Sequence, residues 1–557
     1  MFPFSIRRFV TRHDGNVAVI FALASLPVLG FAGMAIDYGL ATRLQAQLQA
    51  ATDATSLMLC QSTSTTTVPQ LQAQAATTMG GYMGSGVNLV VDPLAVTQGP
   101  RKIQLTTHAT SKAYLGNFTG QKSLGIAATA QCATPVPKTF EIALVLDTTG
   151  SMANSGGSGT KLAAAQQAAA NFVDYVKGNT AFASDTRISI VPFAASVAVD
   201  PRAYAAASWI DQAGASTYHW TNVDKTQAKA AGFASRFSIF NLMAAKYAAW
   251  AWAGCFETLP YPANVQDGSP TSNDTLYVPM FAPDEPGDGS GDRVTFTASS
   301  TGTRYYSYNS YLDDSTSVGA CKTDPSTFAL AENRACKYVG SQGATYTTST
   351  DVGIPNGPNF GCTSKPLQRL TTSTSTLKTL INNLSASGAT NTHEGFMWGW
   401  RTLSPTSVFA DGASYSSKTT SKVIILMTDG ANSWTDNPNS NYNQTLYFSM
   451  GYFLNANGTT PNDRLPSGYR NLTTATAARN ALDQLTLEAC QNAQSAGISI
   501  YTIGFSVNSD PIDTQGTNLL ASCASSPSQA FIANDSTSLI NAFSKIASSI
   551  GSIRLTQ

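Results

Sequence analysis

The chain has 557 residues, too many for one ordinary hydrophobic core, so about two or three folded units are expected. Only 12% of the residues are Asp, Glu, Lys or Arg, and 33 basic residues balance 33 acidic ones. A chain with so little charge has no large basic surface to neutralise phosphates, which argues against nucleic acid as a partner. Its stretches rich in Ser, Thr, Asn and Gly are typical of the solvated surface of an extracytoplasmic protein.

An uncharged run near the amino terminus, Val17–Ile36, has about the length of a helix that spans a bilayer. Three arginines precede it: Arg7, Arg8 and Arg12. Because positive charge favours the cytoplasmic side, we expect a cytoplasmic tail at 1–16, a transmembrane helix at 17–38 and the rest of the chain outside. A cleaved signal peptide is the alternative, although its apolar core is normally only about 7 to 15 residues long.

Helical periodicity continues beyond this run as far as about Cys60, which predicts that the membrane helix extends into an amphipathic stalk. Alternating apolar residues then predict three stretches of strand: Val87–Val96, Lys102–Thr107 and Leu124–Cys132. A small sheet packed against the stalk would make residues 39–135 a pilin-like α+β domain.

Three short segments of this region carry a family resemblance: Arg12–Leu23, Gly33–Tyr38 and Leu48–Ala54. They resemble the amino-terminal region of the TadE/TadG-like proteins of Flp (tight-adherence) pilus assembly. The resemblance implies a single-pass protein of the bacterial inner membrane, with most of the chain in the periplasm. Pseudopilins that are cut after a glycine carry Glu five residues later, whereas Ile20 follows Gly15 at that distance, so we expect an uncut anchor.

The run Phe140–Leu146 is typical of a strand buried on both faces of a parallel sheet. Asp147 ends the run, and hydroxyls follow at alternate positions in Thr149 and Ser151. In an extended turn these three side chains point to the same side. Their oxygen atoms suit Mg²⁺, a hard cation, although the same residue types also build ordinary turns and helix caps.

Two later segments complete a set of possible metal ligands. Thr390 precedes a helical stretch, and Asp429 follows a second apolar strand, Val423–Met427. The set resembles the metal-ion-dependent adhesion site of the von Willebrand factor type A domain, Asp-x-Ser-x-Ser, then Thr, then Asp. The matching residues are, in order, Asp147, Thr149, Ser151, Thr390 and Asp429. Thr149 stands where the family usually has Ser, and it keeps the hydroxyl.

This resemblance implies an α/β fold, a Rossmann-like type A domain with a central, mostly parallel sheet. In such a sheet the strand that ends at Asp147 lies beside the strand that leads to Asp429. The site would hold a divalent cation, with Mg²⁺ first and Mn²⁺ or Ca²⁺ as alternatives, and leave one position open. An acidic side chain of a protein partner would fill that position. The two resemblances together predict a TadG-like protein whose partner is a pilus assembly or envelope component.

The type A domain is expected in two pieces, 138–199 and 365–551. The distance from Asp147 to Thr390 is 243 residues (390 minus 147), far more than the fold needs. The excess, residues 200–364, is predicted to be an inserted, disulfide-containing module rich in aromatic residues. Those aromatics form either a binding face or, as we favour, a small buried core.

Four acidic residues share a Gly/Pro-rich loop of the insertion: Asp284, Glu285, Asp288 and Asp292. Their spacing fits no calcium loop, so we interpret them as a solvated acidic turn. The rest of the domain is predicted to alternate between helix and strand, which implies a parallel sheet. The predicted helices are Leu162–Val176, Lys365–Leu384, His393–Thr402, Ala475–Ala496 and Ser536–Ile550. The predicted strands are Arg187–Ala194, Ile498–Phe505 and Ala530–Ala533.

Eight cysteines in an envelope protein are expected to form disulfides. They fall into three groups along the chain: Cys60 and Cys132; Cys255, Cys321, Cys336 and Cys362; Cys490 and Cys523. Pairing within the groups gives four disulfides, with three possible connectivities for the middle four. None of the spacings is typical of a zinc site.

The sequence carries no enzyme signature that we can identify, and we expect no catalytic residues. Its four histidines lie outside any nucleophile or zinc motif, and Gly156–Lys161 lacks the Gly-Lys-Ser/Thr ending of a phosphate loop. His393 is the one candidate acid or base near the metal ligands, and a structural role is more typical of such a position. A metal-dependent binding protein is therefore favoured. The alternatives are a metal-dependent hydrolase and a structural envelope protein whose metal site is not functional.

Overall fold

The computed structural model describes residues 16–62, 66–97, 101–114, 120, 122–133, 138–291, 294–314, 326–340, 354–435, 442–455 and 460–552. The chain divides into two compact units, Met1–Val136 and Pro137–Gln557. We describe each unit by itself.

The first unit is built on a long helix, α1 (Asn16–Cys60), which confirms the predicted continuation of the apolar run into a stalk. The elements that follow are α2 (Val68–Met83), β1 (Asn88–Val91), β2 (Ala95–Thr97), β3 (Lys102–Lys112) and β4 (Ser123–Ala133). Strand β3 pairs antiparallel with each of the other three strands. Its alternate residues Ile103, Leu105 and Ala109 are buried in cores that also contain residues of α1 and α2.

The two halves of α1 differ in their surroundings. Apolar side chains of the first half, such as Phe21 and Leu29, are exposed, whereas Leu48 and Leu59 in the second half are buried. Within the described part of the chain, α1 is the one helix long and apolar enough to cross a membrane. A disulfide between Cys60 and Cys132 joins the end of α1 to β4.

The second unit contains a six-stranded sheet and a two-stranded one. Its strands are β5 (Thr139–Asp147), β6 (Arg187–Phe193), β7 (Val294–Thr297), β8 (Arg304–Ser307), β9 (Gln368–Thr371), β10 (Thr420–Thr428), β11 (Ser499–Phe505) and β12 (Ala530–Ala533). Its α-helices are α3 (Lys161–Gly178), α4 (Pro201–Tyr204), α5 (Lys225–Ala230), α6 (Arg236–Ala244), α7 (Phe328–Asn333), α8 (Lys337–Gly340), α9 (Thr374–Asn382), α10 (Thr392–Leu403), α11 (Ala475–Ser495), α12 (Thr514–Cys523) and α13 (Ser536–Ser552). Short 3₁₀ helices cover Gly150–Ala153, Thr217–Trp220, Ala248–Trp250, Ala263–Val265, Asn273–Thr275, Ser467–Tyr469 and Pro527–Gln529.

The larger sheet has the strand order β12-β11-β10-β5-β6-β9, in which only β9 is antiparallel to its neighbour. Helices cover both faces, because alternate residues of β5 enter opposite cores. Ala143 and Val145 pack with residues of α10 and α11, whereas Ile142 and Leu144 pack with residues of α3, α9 and α13. The chain leaves the central pair β5 and β10 in opposite directions. Ligands of open α/β sheets bind at the carboxyl ends of the strands where the order reverses in this way.

The parallel pairing of β5 with β10 confirms the predicted neighbourhood of the two strands. Leu146 lies opposite Met427, so the residues that follow, Asp147 and Thr428, emerge side by side at the carboxyl edge. This register places the first acidic residue of the predicted site next to the chain segment that leads to the second.

The described residues of the segment 200–364 share most of their buried core with the rest of the second unit. Their buried aromatics, which include Trp250 and Phe256, belong to the same core as β5 and α10. The ring of Phe256 stacks on that of Trp398 in α10, with 5.8 Å between the centroids. All twelve residues of α10 are buried, since the sheet lies on one side of the helix and this segment covers the other. The aromatics are thus mainly core residues, but the core is shared.

The structure contradicts the predicted helix Lys365–Leu384. This segment contains a strand, β9, followed by a shorter helix, α9. Edge pairing with β6 outweighs the helical pattern in the first half, and the Ser373 hydroxyl caps α9 by accepting the N–H of Thr376.

The acidic loop is not solvated as a whole. Asp284 and Glu285 are buried, and Asp284 Oδ1 accepts the backbone N–H groups of Tyr311 and Leu312 at 2.7 and 2.8 Å. Asp288 is exposed, as predicted, while Asp292 lies outside the described residues. Backbone donors thus satisfy Oδ1 of Asp284, and its Oδ2 lies 3.3 Å from the ammonium of Lys337.

Two further disulfides hold the second unit. Cys255 pairs with Cys362, and Cys490 pairs with Cys523, with Cα–Cα distances of 5.7 and 5.3 Å. Cys336 is also disulfide-bonded, and Cys321 lies outside the described residues.

Candidate metal centre

The first carboxylate of the candidate site, that of Asp147, is fully buried at the end of β5. Its Oδ1 accepts the backbone N–H of Thr149 at 2.8 Å, and its Oδ2 accepts the hydroxyl of Thr428 at 2.5 Å. One bond comes from the residues that follow β5 and the other from the end of β10. The carboxylate is therefore held in place by both central strands.

Ser151 joins this loop to the second carboxylate. Its hydroxyl donates to Asp429 Oδ1 at 2.8 Å and lies 3.1 Å from the Thr149 hydroxyl. Ser151 belongs to the 3₁₀ turn Gly150–Ala153, which directly follows the strand and its extended dipeptide. Residues that are 278 positions apart in sequence are thus in direct contact.

The loop that contains Thr390 docks against both of the other segments. The N–H of Gly150 donates to the carbonyl of Gly388 at 2.9 Å, and the N–H of Ser433 donates to the carbonyl of Thr390 at 2.9 Å. Gly388 has a φ of +91°, and a Cβ there would lie 2.6 Å from the Thr363 hydroxyl oxygen. Only glycine fits this turn without strain. The structure therefore brings all three predicted segments to one place.

One residue of the site was not predicted. Lys161, the first residue of α3, has a fully buried side chain whose Nζ lies 2.9 Å from Asp429 Oδ2 and 2.7 Å from Asp510 Oδ2. A single lysine at the start of a helix carries no signal in the sequence. The loop after β11 could have indicated the contact, because Asp510 follows another strand that ends at the same edge of the sheet.

Burial and mutual repulsion shape the charge of the site. Burial, and next the negative charge of Asp429, raise the pKa of Asp147 to about 7. Burial also raises the pKa of Asp429, while the ammonium of Lys161 opposes the rise. The site thus holds two buried carboxylates close to a single fully buried ammonium.

The donor set fits a hard divalent cation. The described residues contain no group of three or more His, Cys, Asp or Glu side chains that could hold a metal ion, so a site here would have to combine two carboxylates with hydroxyls. The five predicted residues offer carboxylate and hydroxyl oxygens, which suit Mg²⁺, Mn²⁺ or Ca²⁺. Asp147, Thr149, Ser151, Thr390 and Asp429 are the residues that would hold the ion.

The helix that follows Thr390 is capped by Asn391, and its histidine belongs to the core. Asn391 Oδ1 accepts the backbone N–H of Glu394 at 3.1 Å. His393 is fully buried, and its Nε2 lies 2.8 Å from the carbonyl oxygen of Asn264. Burial lowers the pKa of His393 to about 4, so the ring is neutral near pH 7. Its contact with a backbone carbonyl is typical of a structural histidine.

Residues 15–58 match the family described as putative Flp pilus-assembly TadE/G-like. The match covers the apolar half of α1 and nearly all of its stalk, and it does not reach the second unit. No curated protein matches the chain.

Several solved structures of pilus proteins are distantly similar. The vWF domain of the type V pili tip protein Mfa5 from Porphyromonas gingivalis is 11% identical, with a TM-score of 0.32, and the match covers 76% of this chain and 98% of that one. The PilB minor pilin from Streptococcus sanguinis is 11% identical, with a TM-score of 0.31 and coverage of 84% and 78%. The adhesive tip pilin GBS104 from Group B Streptococcus agalactiae is 12% identical, with a TM-score of 0.33 and coverage of 74% and 100%. Likeness at this level does not identify a fold.

Proposed function

We propose that this chain is a membrane-anchored, TadG-like component of Flp/Tad-type pilus assembly or adhesion, which binds a protein partner through a divalent cation. The TadE/G-like match and the exposed apolar half of α1 support the anchor. In this proposal the anchor is uncut and crosses the bacterial inner membrane once, residues 1–16 are cytoplasmic, and both folded units lie in the periplasm.

One observation carries the metal-binding part of the proposal: the 2.8 Å contact between Ser151 and Asp429, beside the buried carboxylate of Asp147. Segments that are remote in sequence converge where the strand order reverses, as in the von Willebrand factor type A domain. A cation held there would offer a positive charge to an acidic side chain of the partner. Mg²⁺ is the proposed ion, with Mn²⁺ and Ca²⁺ as alternatives.

Binding is favoured over catalysis, because the one candidate acid or base among the described residues near the proposed ligands, His393, belongs to the core. His393 is neutral, buried and bonded to a carbonyl oxygen. A metal-dependent hydrolase therefore gains no support from the geometry.

A second candidate function has one observation in its favour. Lys161 already pairs with Asp429, so the same residues could brace the sheet edge without metal in a structural envelope protein. The two candidates differ in their response to cations, since a brace of this kind gains no stability from Mg²⁺ or Mn²⁺.

The test is a pulldown from envelope extract with the detergent-solubilised full chain, in Mg²⁺ and in chelator. We expect a partner that is captured in Mg²⁺, released by chelator and lost with Asp147→Ala. Asp174→Ala, which removes an exposed carboxylate of α3, is the matched control and should leave capture unchanged. Capture that is indifferent to chelator and to Asp147→Ala, with no thermal shift by Mg²⁺ or Mn²⁺, would contradict metal-dependent binding and support the brace. Metal-dependent turnover of a substrate would support the hydrolase instead.

A further inference from the structure

A carboxylate lies at the end of the apolar run of α1. Asp37 follows Ile36 directly, and its side chain is only 3% exposed. Its Oδ1 accepts the backbone N–H of Tyr114 at 2.9 Å. Tyr114 comes two residues after the end of β3. This residue therefore lies against α1 at the level of Asp37.

The geometry of α1 indicates how deep in the membrane Asp37 lies. At about 1.5 Å per residue, the run Val17–Ile36 is about 30 Å long, which equals the thickness of the hydrocarbon core. If the run fills that core, Asp37 lies at its edge, and the hydrogen bond holds Tyr114 at the same depth. A carboxylate at this depth is costly even where protein covers it, and a charge-assisted hydrogen bond from a backbone N–H lowers that cost.

We propose that three described residues beside the adjoining ends of β3 and β4, Tyr114, Lys112 and Lys122, form a membrane-contact surface that binds the anionic phospholipid headgroups around α1. The inference rests on the proposed anchoring of α1 in the membrane. It adds a second point of contact, which sets how close the first unit lies to the bilayer.

The three side chains have the chemistry that this position requires. The side chain of Tyr114 is 69% exposed, and tyrosine is enriched where membranes meet water. Lys112 ends β3, and the N–H of Ala113 donates to the carbonyl of Lys122 at 3.2 Å, so both lysines lie beside the adjoining ends of β3 and β4. Both are exposed, and their ammonium groups match the charge of headgroup phosphates.

Tyr82 is a matched control in the same unit. It is 60% exposed near the end of α2. Helix α2 runs antiparallel to α1, because Ser62 contacts Gln74 whereas the earlier Thr55 contacts the later Met79. The Thr55 hydroxyl lies 3.2 Å from the sulfur of Met79, which fixes the level of that end. Tyr82 therefore lies about 20 Å farther along the axis of α1 than Asp37 does.

The experiment uses photocrosslinking of the full chain, reconstituted into vesicles of phosphatidylethanolamine and phosphatidylglycerol. Single variants carry the photoreactive residue at one position: Tyr114→p-benzoylphenylalanine, Tyr82→p-benzoylphenylalanine and Phe21→p-benzoylphenylalanine. Mass spectrometry after irradiation measures lipid adducts. We expect adducts at position 21, inside the apolar run, and at position 114, and none at position 82.

The outcomes separate the inference from the proposed function. Adducts at 21 without adducts at 114 would overturn the membrane-contact surface and leave the anchor intact. Absence of adducts at 21 would overturn the anchor and the surface together, and equal adducts at 82 and 114 would overturn the surface.

Two variants of Asp37 test the positioning bond. Asp37→Asn keeps an oxygen acceptor for the Tyr114 N–H and should keep the adducts at 114, whereas Asp37→Ala removes it and should lose them. The Cys60–Cys132 disulfide, followed on non-reducing gels, reports whether each variant has folded. Unchanged adducts in folded Asp37→Ala would overturn the positioning role of Asp37.

Discussion

Asp429 is shared between two kinds of partner, a hydroxyl on Oδ1 and an ammonium on Oδ2. The ammonium of Lys161 neutralises only part of the charge, because Asp147 is buried nearby and Asp510 contacts the same lysine. A cation and Lys161 would therefore complement each other at these carboxylates, and removing the lysine should make the site depend on metal.

We expect Lys161→Met to lower the free energy of unfolding in chelator by about 3 kcal/mol or more, because Asp429 then stays buried without its ammonium. Mg²⁺ should restore more stability to this variant than it adds to the wild-type protein. Thermal unfolding of the solubilised chain, followed by tryptophan fluorescence, measures both effects.

Lys378→Met is the control for the lysine substitution. Lys378 pairs with Asp174 on the surface, so its loss should cost less than about 1 kcal/mol and leave the Mg²⁺ response unchanged. An equal Mg²⁺ response in wild type and Lys161→Met would show that the lysine and the cation do not act on the same carboxylates.

His393 predicts a dependence of stability on pH. Its pKa is about 4 in the folded chain and about 6.5 when unfolded, so between these values the unfolded state binds the extra proton. Its contribution is fully present above pH 6.5 and is lost as the pH falls toward 4, by roughly 3 kcal/mol in total. Comparing the unfolding of wild type and His393→Gln from pH 8 to pH 4 isolates this slope. If the free energy of unfolding depended on pH in the same way in both proteins, the lowered pKa of His393 would be refuted.

Metal binding by Asp147, Thr149, Ser151, Thr390 and Asp429 stays a prediction. The proximity of Asp147, Ser151 and Asp429 could be predicted from sequence, because both carboxylates follow strand ends and hydroxyls alternate after Asp147, a local pattern. Lys161 could not, since its role depends on two loops that lie 268 and 349 residues away. The need for glycine at position 388 could not be predicted either, because it depends on the positive φ of that turn and on the Thr363 side chain beside it.

Among the helices, α10 positions the Thr390 loop most directly. Gly395 and Gly399 let this helix approach the sheet, because a Cβ would lie 2.5 Å from the Phe193 ring at one position and 2.4 Å from Val145 Cγ2 at the other. The aromatic residues of the 200–364 segment then cover its outer side.

Gly399→Ala should therefore destabilise the second unit by about 1 to 3 kcal/mol, because the added methyl group overpacks the contact with Val145. Gly178→Ala is the control: it lies at the end of α3 with no atom within 4 Å of its Cβ position. There the usual helix preference for alanine over glycine, up to about 1 kcal/mol, should make the change neutral or stabilising. Stabilisation by Gly399→Ala would contradict the close packing of α10.

Periodic patterns predicted most of the elements that contact the sheet, including α3, α11 and α13. They failed where pairing with a neighbour decides the structure, as in β9, whose residues 368–371 become a strand only because β6 lies beside them. Helix α2 was not predicted at all. Its buried residues Leu71, Ala75 and Met79 occur once per turn among polar and small residues, which is too weak a pattern.

At the scale of the whole molecule, the sequence predicted a stalk unit and an α/β unit. The structure divides into two compact units, one up to Val136 and another from Pro137. The burial of α10 on all sides was not foreseen, because a long insertion in sequence can still share a core with the elements that flank it. Order along the chain does not tell whether an inserted segment packs on itself or on its host.

The convergence of three remote segments on one divalent cation is tested most directly by Mn²⁺ binding to the solubilised full chain, measured by electron paramagnetic resonance. Wild-type protein should bind one Mn²⁺ that Mg²⁺ displaces, Asp147→Asn and Asp429→Asn should lose it, and Asp174→Asn should retain it. A wild-type chain that binds no Mn²⁺, or binding that survives both Asp147→Asn and Asp429→Asn, would contradict the proposed site.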